Sequence, residues 1–175
     1  MVDNQAVQNR KRLRAEGYDY SQPGWYFVTI CTQHRVCLFG HIARGTMHHS
    51  PAGDMVADVV TGLSKYFENV EIDPFVVMPN HVHAIIKISP VNYDVSPYAL
   101  SEIVASFKLH TTHRYIKEVR DSGWKSIPGK LWQRSFHDRI IRNDHEAGRL
   151  HEYIEANPQL WEKDTHYMTE NDLLP

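Results

Sequence analysis

Cysteine is almost absent from this chain of 175 residues; Cys31 and Cys37 are the two present. Neither belongs to a zinc-type cysteine pair, so free, partly buried thiols in a reducing cytoplasm are expected. Long apolar runs are missing too. No stretch nears the roughly 20 residues that cross a bilayer, which leaves no role for a membrane partner. The opening Met1-Val2-Asp3-Asn4-Gln5 carries no apolar leader. An excess of positive charge is also lacking: 19 Lys and Arg stand against 21 Asp and Glu, for a formal net charge of −2. A protein that grips long duplex DNA without sequence preference is usually basic overall, so that class is disfavoured. A local nucleic-acid groove stays open.

What is present suits one soluble domain, with 42% hydrophobic and 23% charged residues. Charge is unevenly spread. Arg10, Lys11, Arg12 and Arg14 mark a basic arm over 1–20. Lys125, Lys130, Arg134, Arg139 and Arg142 enrich one later segment, and acids crowd the stretch beyond Asp144. A single catalytic-sized domain is expected over 21–165, with a polar tail at 166–175. Twelve histidines are many for this length, but abundance alone does not indicate a metal.

Periodicity orders the elements. Residues 25–32 are β-branched and aromatic after Pro23-Gly24 and predict a first strand. A loop with Gly40, Gly45 and His48-His49 follows. Ser50-Pro51 then caps a helix, with Val56, Val59, Val60, Leu63 and Phe67 at helical spacing, to about Asn69. Residues 73–78 and 81–88 form two strands around the Pro79-Asn80 turn. Ser96-Pro97 is expected to cap a second helix, with Leu100, Val104, Phe107, Thr111 and Tyr115 on one stripe. A fourth strand is expected over 132–142. Asn143 to Glu146 has the form of a capping box, opening a last helix that Pro158 ends. Strand, helix, strand, strand, helix, strand gives an α+β, ferredoxin-like βαββαβ sandwich, antiparallel, with helices on one face and an appended C-terminal helix.

The strand at 81–88 is the place to look for chemistry. Alternation puts His81, His83, Ile85 and Lys87 on one face, and Val82, Ala84, Ile86 and Ile88 on the other. The apolar face packs on a core, while two imidazoles on the other can share a metal ion. Two histidines alone do not hold a catalytic metal firmly. Tyr153 and Asn157, four residues apart on the last helix, share a face. Laid over the open sheet face, that helix lets Asn157 add a carbonyl oxygen. Three neutral ligands leave the cation its full charge for a phosphate oxygen. Tyr153, one turn earlier, points at the same phosphate. A phosphotyrosine preserves the energy of a broken phosphodiester, so cutting and rejoining need no ATP.

The segments at 75–83 (Phe-Val-Val-Met-Pro-Asn-His-Val-His), 132–143 (Trp-Gln-Arg-Ser-Phe-His-Asp-Arg-Ile-Ile-Arg-Asn) and 152–158 (Glu-Tyr-Ile-Glu-Ala-Asn-Pro) resemble the REP-associated tyrosine transposases. These belong to the wider histidine-hydrophobe-histidine (HUH), single-tyrosine DNA transposases. Residues 17–24 and 26–32 are similar too, and the resemblance spans roughly 10–165 with its motifs in family order. It implies that His81 and His83 are the metal pair, Asn157 the third ligand and Tyr153 the nucleophile. Related insertion-sequence transposases more often carry glutamine where Asn157 stands, one methylene longer. The resemblance further implies a Mg²⁺ or Mn²⁺ ion and single-stranded hairpin DNA as substrate. Cleavage would leave a 5′-phosphotyrosine and a free 3′-hydroxyl. Relatives work as monomers or as homodimers that exchange the tyrosine helix.

Each residue also has a plainer reading. Tyr115 is the rival nucleophile, but it fits a packing stripe and lacks a neighbouring ligand. Trp132 stacks on a base or anchors a strand, and the anchor is preferred. Lys108, Arg114, Arg134, Arg139 and Arg142 are candidate DNA contacts. Two other functions compete: a non-catalytic hairpin-DNA-binding module derived from such an enzyme, and a zinc hydrolase. The hydrolase needs a carboxylate or third histidine that the sequence does not single out.

Overall fold

The computed structural model describes residues 18–90 and 98–168. The basic cluster at Arg10–Arg14 and the Ser96-Pro97 cap lie outside them. Four strands build the main sheet: β1 (Gly24–Cys31), β4 (Val70–Met78), β5 (His81–Ile88) and β6 (His137–Ile141). Their spatial order is β4-β5-β1-β6 with every neighbour antiparallel. That is the expected ferredoxin-like sandwich, with one insertion. Between β1 and the first helix stands a small hairpin, β2 (Gly40–Ala43) and β3 (Thr46–His49). Its turn is Arg44-Gly45, both at positive φ (51° and 73°), the backbone that two-residue hairpins require.

Helices α1 (Pro51–Gly62) and α2 (Leu100–Asp121) cover one sheet face. Ser50 caps α1 as expected, its hydroxyl accepting from the Gly53 N–H at 3.2 Å. The helix stops at Gly62 rather than near Asn69, giving way to a 3₁₀ turn at Leu63–Lys65, and β4 starts three residues earlier than expected. Helix α2 is capped at Ala99, whose N–H donates to Glu102. The apolar face of β5 (Val82, Ala84, Ile86 and Ile88) packs here with Tyr26, Val28, Val56, Ile103, Val104 and Phe107, and this is the main core.

The fourth strand is shorter than expected. Trp132 makes an isolated bridge to Thr32, just past the end of β1, and residues 133–136 are irregular before β6 begins. Trp132 is nevertheless the anchor: it is buried, and its indole N–H donates to the Thr111 hydroxyl at 2.8 Å.

Helix α3 (Asp144–Ala156) lies on the opposite sheet face, against β4, β5 and β6. Asn143 caps it by accepting from the Glu146 N–H at 2.9 Å, while the Glu146 carboxylate accepts from the Arg142 N–H. Ile154 closes a small second core with Ile85 and Ile141, flanked by Phe27, Val76, Ala147 and Leu150. Ala147, Leu150, Ile154 and Asn157 form one stripe at helical spacing. Burying that stripe carries Asn157 and its neighbour Tyr153 to the histidine end of β5.

Candidate metal and nucleophile site

His81 and His83 are almost wholly buried, at 0% and 2% exposure, with ring centroids 4.4 Å apart. Register explains the placement: His81 lies opposite Met78 and Cys31, and His83 opposite Val76 and Thr29. Asn80 fixes the His81 tautomer. Its amide nitrogen donates to the carbonyls of Arg35 and His166, so its oxygen faces His81 and accepts from Nδ1–H at 2.9 Å. The lone pair of His81 is therefore on Nε2. The Nδ1 of His83 lies 2.9 Å from the Thr29 hydroxyl.

Three buried side-chain atoms here find no hydrogen-bond partner among the described residues: Nε2 of His81, Nε2 of His83 and Oδ1 of Asn157. Such atoms cost roughly 1–3 kcal/mol each when left bare, so native folds rarely keep them without a purpose. Two imidazole nitrogens and an amide oxygen suit a divalent cation with open positions.

Tyr153 adjoins these donors. Its ring packs edge-on against His83, centroids 5.4 Å apart, and against Phe27 at 6.0 Å. It is 38% exposed, so the hydroxyl is reachable. That hydroxyl donates to the Asp164 carboxylate at 3.4 Å, and the Asn157 amide donates to the same oxygen at 3.3 Å. Burial and then the Asp164 charge push the phenol pKa upward.

Sequence reasoning missed Asp164 and His166. The carboxylate oxygen of Asp164 lies 4.0 Å from His83 Nε2, and the donor atoms of His81, His83 and Asp164 all fall within 4.8 Å of one another. The His166 ring stands 4.8 Å from that of His81. After α3 the chain makes a 3₁₀ turn, Asn157–Lys163, and the buried Trp161 brings it back over the site. Asn80, read as part of a turn, and Thr29, read as part of a strand, were given no role at the site. For Asn80 the signal was its place before His81; for Asp164 a polar tail offered none.

The predicted nucleic-acid residues separate into two groups. Arg139 and Arg142 border an open groove of about 560 Å³ at the start of α3, together with His145 and Arg149. Arg134 is exposed between Trp132 and β6. Lys108 and Arg114 belong to α2 instead. The Lys108 ammonium donates to the carbonyls of Gln133, Arg134 and Ser135, and burial lowers its pKa to about 8. Arg114 pairs with Asp58 of α1 at 3.6 Å. The rival Tyr115 is buried on the α2 side of the sheet, its hydroxyl donating to the Lys125 carbonyl at 2.8 Å.

Stability should follow the site's titration. Burial, then His83 and His166, holds the His81 pKa well below 6.5. Burial likewise lowers that of His166 to about 4. The unfolded chain therefore takes up these protons near pH 6.5, whereas the folded chain resists until much lower. Stability must fall as pH drops through that window. Thermal unfolding in EDTA is expected to show a steady decline in Tm from pH 7 to about 4, with His166→Gln flattening part of it. A level Tm between pH 7 and 5 would contradict the buried, neutral imidazoles.

Residues 27–157 match the family described as Transposase IS200 like. An uncharacterized protein of Haemophilus influenzae strain Rd is 32% identical over 94% of this chain and 97% of its own length. A second protein of that strain, which carries the provisional name REP-associated tyrosine transposase, is 28% identical over 80% of this chain and 73% of its own. Among solved structures, a REP-associated tyrosine transposase bound to a REP hairpin superposes with a TM-score of 0.56. It covers 83% of this chain and 72% of that one at 22% identity, a likeness of fold. No helix among the described residues is long and apolar enough to cross a membrane.

Proposed function

The chain belongs to the IS200-like transposase family, and from that premise we propose that it cuts and rejoins single-stranded hairpin DNA through Tyr153. The observation that carries the reading is the meeting of a reachable phenol with three buried, unpartnered donor atoms at one end of β5. His81, His83 and Asn157 would hold a Mg²⁺ or Mn²⁺ ion, which would supply Lewis-acid polarisation of the scissile phosphate.

The chain's own residues do the rest. Tyr153 Oη attacks the phosphorus, a P–O(Tyr) bond forms, and the bond to the 3′ oxygen breaks. The phenol gives up its proton and the departing 3′ oxygen gains one, leaving a 5′-phosphotyrosine and a 3′-hydroxyl. Reversal by another 3′-hydroxyl rejoins the strand with no outside energy. Phe27 and His83, stacked on each other, both pack against the phenol ring, which limits the orientations it must give up on attack. Arg139, Arg142 and Arg149 at the α3 groove face hairpin phosphates. A second groove, of about 740 Å³, runs between the β2–β3 hairpin and the 157–163 turn and gives the unpaired flank a path past Trp161, with Arg44 and Gln159 on its walls.

The test is a labelled hairpin oligonucleotide with single-stranded flanks, incubated with the protein and Mn²⁺. A labelled band that migrates with the protein under denaturing conditions is expected, and EDTA prevents it. Hairpin binding with no metal requirement and no cut strand would favour the non-catalytic module instead. Hydrolysis without an adduct would favour the hydrolase, for which Asp164 now supplies a carboxylate.

A further inference from the structure

We propose that Asp164 is itself a ligand of the cation held by His81, His83 and Asn157, and that cation uptake draws its carboxylate off the Tyr153 hydroxyl. The inference rests on the metal-dependent reading above and adds an anionic fourth donor to it.

The first argument is charge. The Asp164 side chain is 1% exposed, and no lysine or arginine pairs with it among the described residues; the nearby basic group is the His83 imidazole, at 4.0 Å. A buried carboxylate without a cation is costly, and pairing or metal ligation is the usual remedy. The second argument is distance. Donors about 2.1 Å from one ion stand roughly 3.0–3.4 Å apart, depending on whether the shell is octahedral or tetrahedral. The donors of His81, His83 and Asp164 already lie within 4.8 Å of one another, so a contraction of at most about 1.4–1.8 Å closes the shell.

The third argument is how the carboxylate is presented. Its Oδ1 accepts from the His166 N–H at 2.6 Å, which leaves Oδ2 turned to the site. The strap that carries it is tied down on both sides. Asn80 donates to the His166 carbonyl at 2.9 Å, Arg35 to the Thr165 carbonyl at 3.1 Å, and the Asp164 N–H to the Trp161 carbonyl at 3.0 Å. Asp164 is thus placed by the fold and is no loose surface acid.

Among the described residues Oδ2 receives two long hydrogen bonds, from Tyr153 at 3.4 Å and Asn157 at 3.3 Å. Bonds of that length are weak, and a cation displaces them readily. In the metal-free protein the carboxylate accepts from the phenol and so occupies its hydroxyl. Drawn onto the cation, it stops doing so. Cation uptake would then complete the metal shell and free the nucleophile in one movement.

Calorimetric titration of the full chain with Mn²⁺, with no DNA present, tests this. Asp164→Asn keeps an oxygen for the His166 N–H, so the strap is retained; its Mn²⁺ Kd is expected to rise by ten- to a hundredfold or more. Electron–nuclear double resonance on the unsubstituted protein, grown with ¹³C-carboxylate aspartate, needs no variant. A ¹³C coupling of the size of a directly bound carboxylate is expected. Absence of that coupling, or a Kd unchanged in Asp164→Asn while His81→Ala has lost Mn²⁺, overturns the role of Asp164 and leaves the functional reading standing. Equal Mn²⁺ binding by the parent chain and His81→Ala overturns both.

Discussion

Tyr153→Phe is expected to abolish the covalent protein–DNA adduct and to lower strand cleavage by about 10⁴-fold or more, as loss of a sole nucleophile does. Hairpin binding changes by no more than the factor of about five that one hydrogen bond accounts for. The substitution is mild for the fold. The lost bond is the 3.4 Å contact to Asp164 at a residue 38% exposed, and the phenyl ring keeps its packing against Phe27 and His83. Tyr115→Phe is the matched control. It removes a buried 2.8 Å hydrogen bond to the Lys125 carbonyl on the far side of the sheet. That costs about 1 kcal/mol of stability and leaves the adduct in place. The two variants therefore separate loss of the nucleophile from loss of a tyrosine hydroxyl. An adduct that persists in Tyr153→Phe and vanishes in Tyr115→Phe would move the chemistry across the sheet and end the present reading.

The histidine strand was legible because both of its faces are constrained. Val82, Ala84, Ile86 and Ile88 must meet α1 and α2, so a one-residue slip of register would bury His81 and His83 in the main core. Helix α3 was legible for a similar reason: its cap residues and its stripe of Ala147, Leu150 and Ile154 fix which side turns inward. The β2–β3 hairpin was not, since its strands are four residues each and Arg44-Gly45 is a weak turn signal beside Asn-Gly. The overlong fourth strand came from reading Trp132 as part of a ladder, when an indole bond to Thr111 on α2 places it. Asp164 was beyond reach for a deeper reason. Its position depends on Trp161 docking by His81 and on two backbone carbonyls, of Thr165 and His166, bonded across the chain by Arg35 and Asn80. None of these contacts has a period or a spacing that a linear pattern can register.

His83→Leu is expected to cost metal-dependent cleavage about 10²–10⁴-fold, the range that several kcal/mol of charge stabilisation represents. The metal-free fold should hardly notice. Leucine removes a buried nitrogen that has no hydrogen bond, a gain of roughly 1–3 kcal/mol, and strands the Thr29 hydroxyl, a loss of similar size. The new side chain also adjoins the apolar patch of Ile85, Ile154 and Phe27. Metal linkage then separates the two proteins. At a hundred times its Kd a cation stabilises the parent chain by about 2.7 kcal/mol, roughly 5–10 °C of Tm for a domain of this length. His83→Leu should show the same Tm with and without Mn²⁺. A variant that keeps both the Tm rise and the Mn²⁺-dependent adduct would place the cation elsewhere. A variant that loses the Tm rise yet still forms adduct would make the phenol sufficient without it. Between those outcomes lies the expected one, in which the bare nitrogens on β5 exist because a cation completes them.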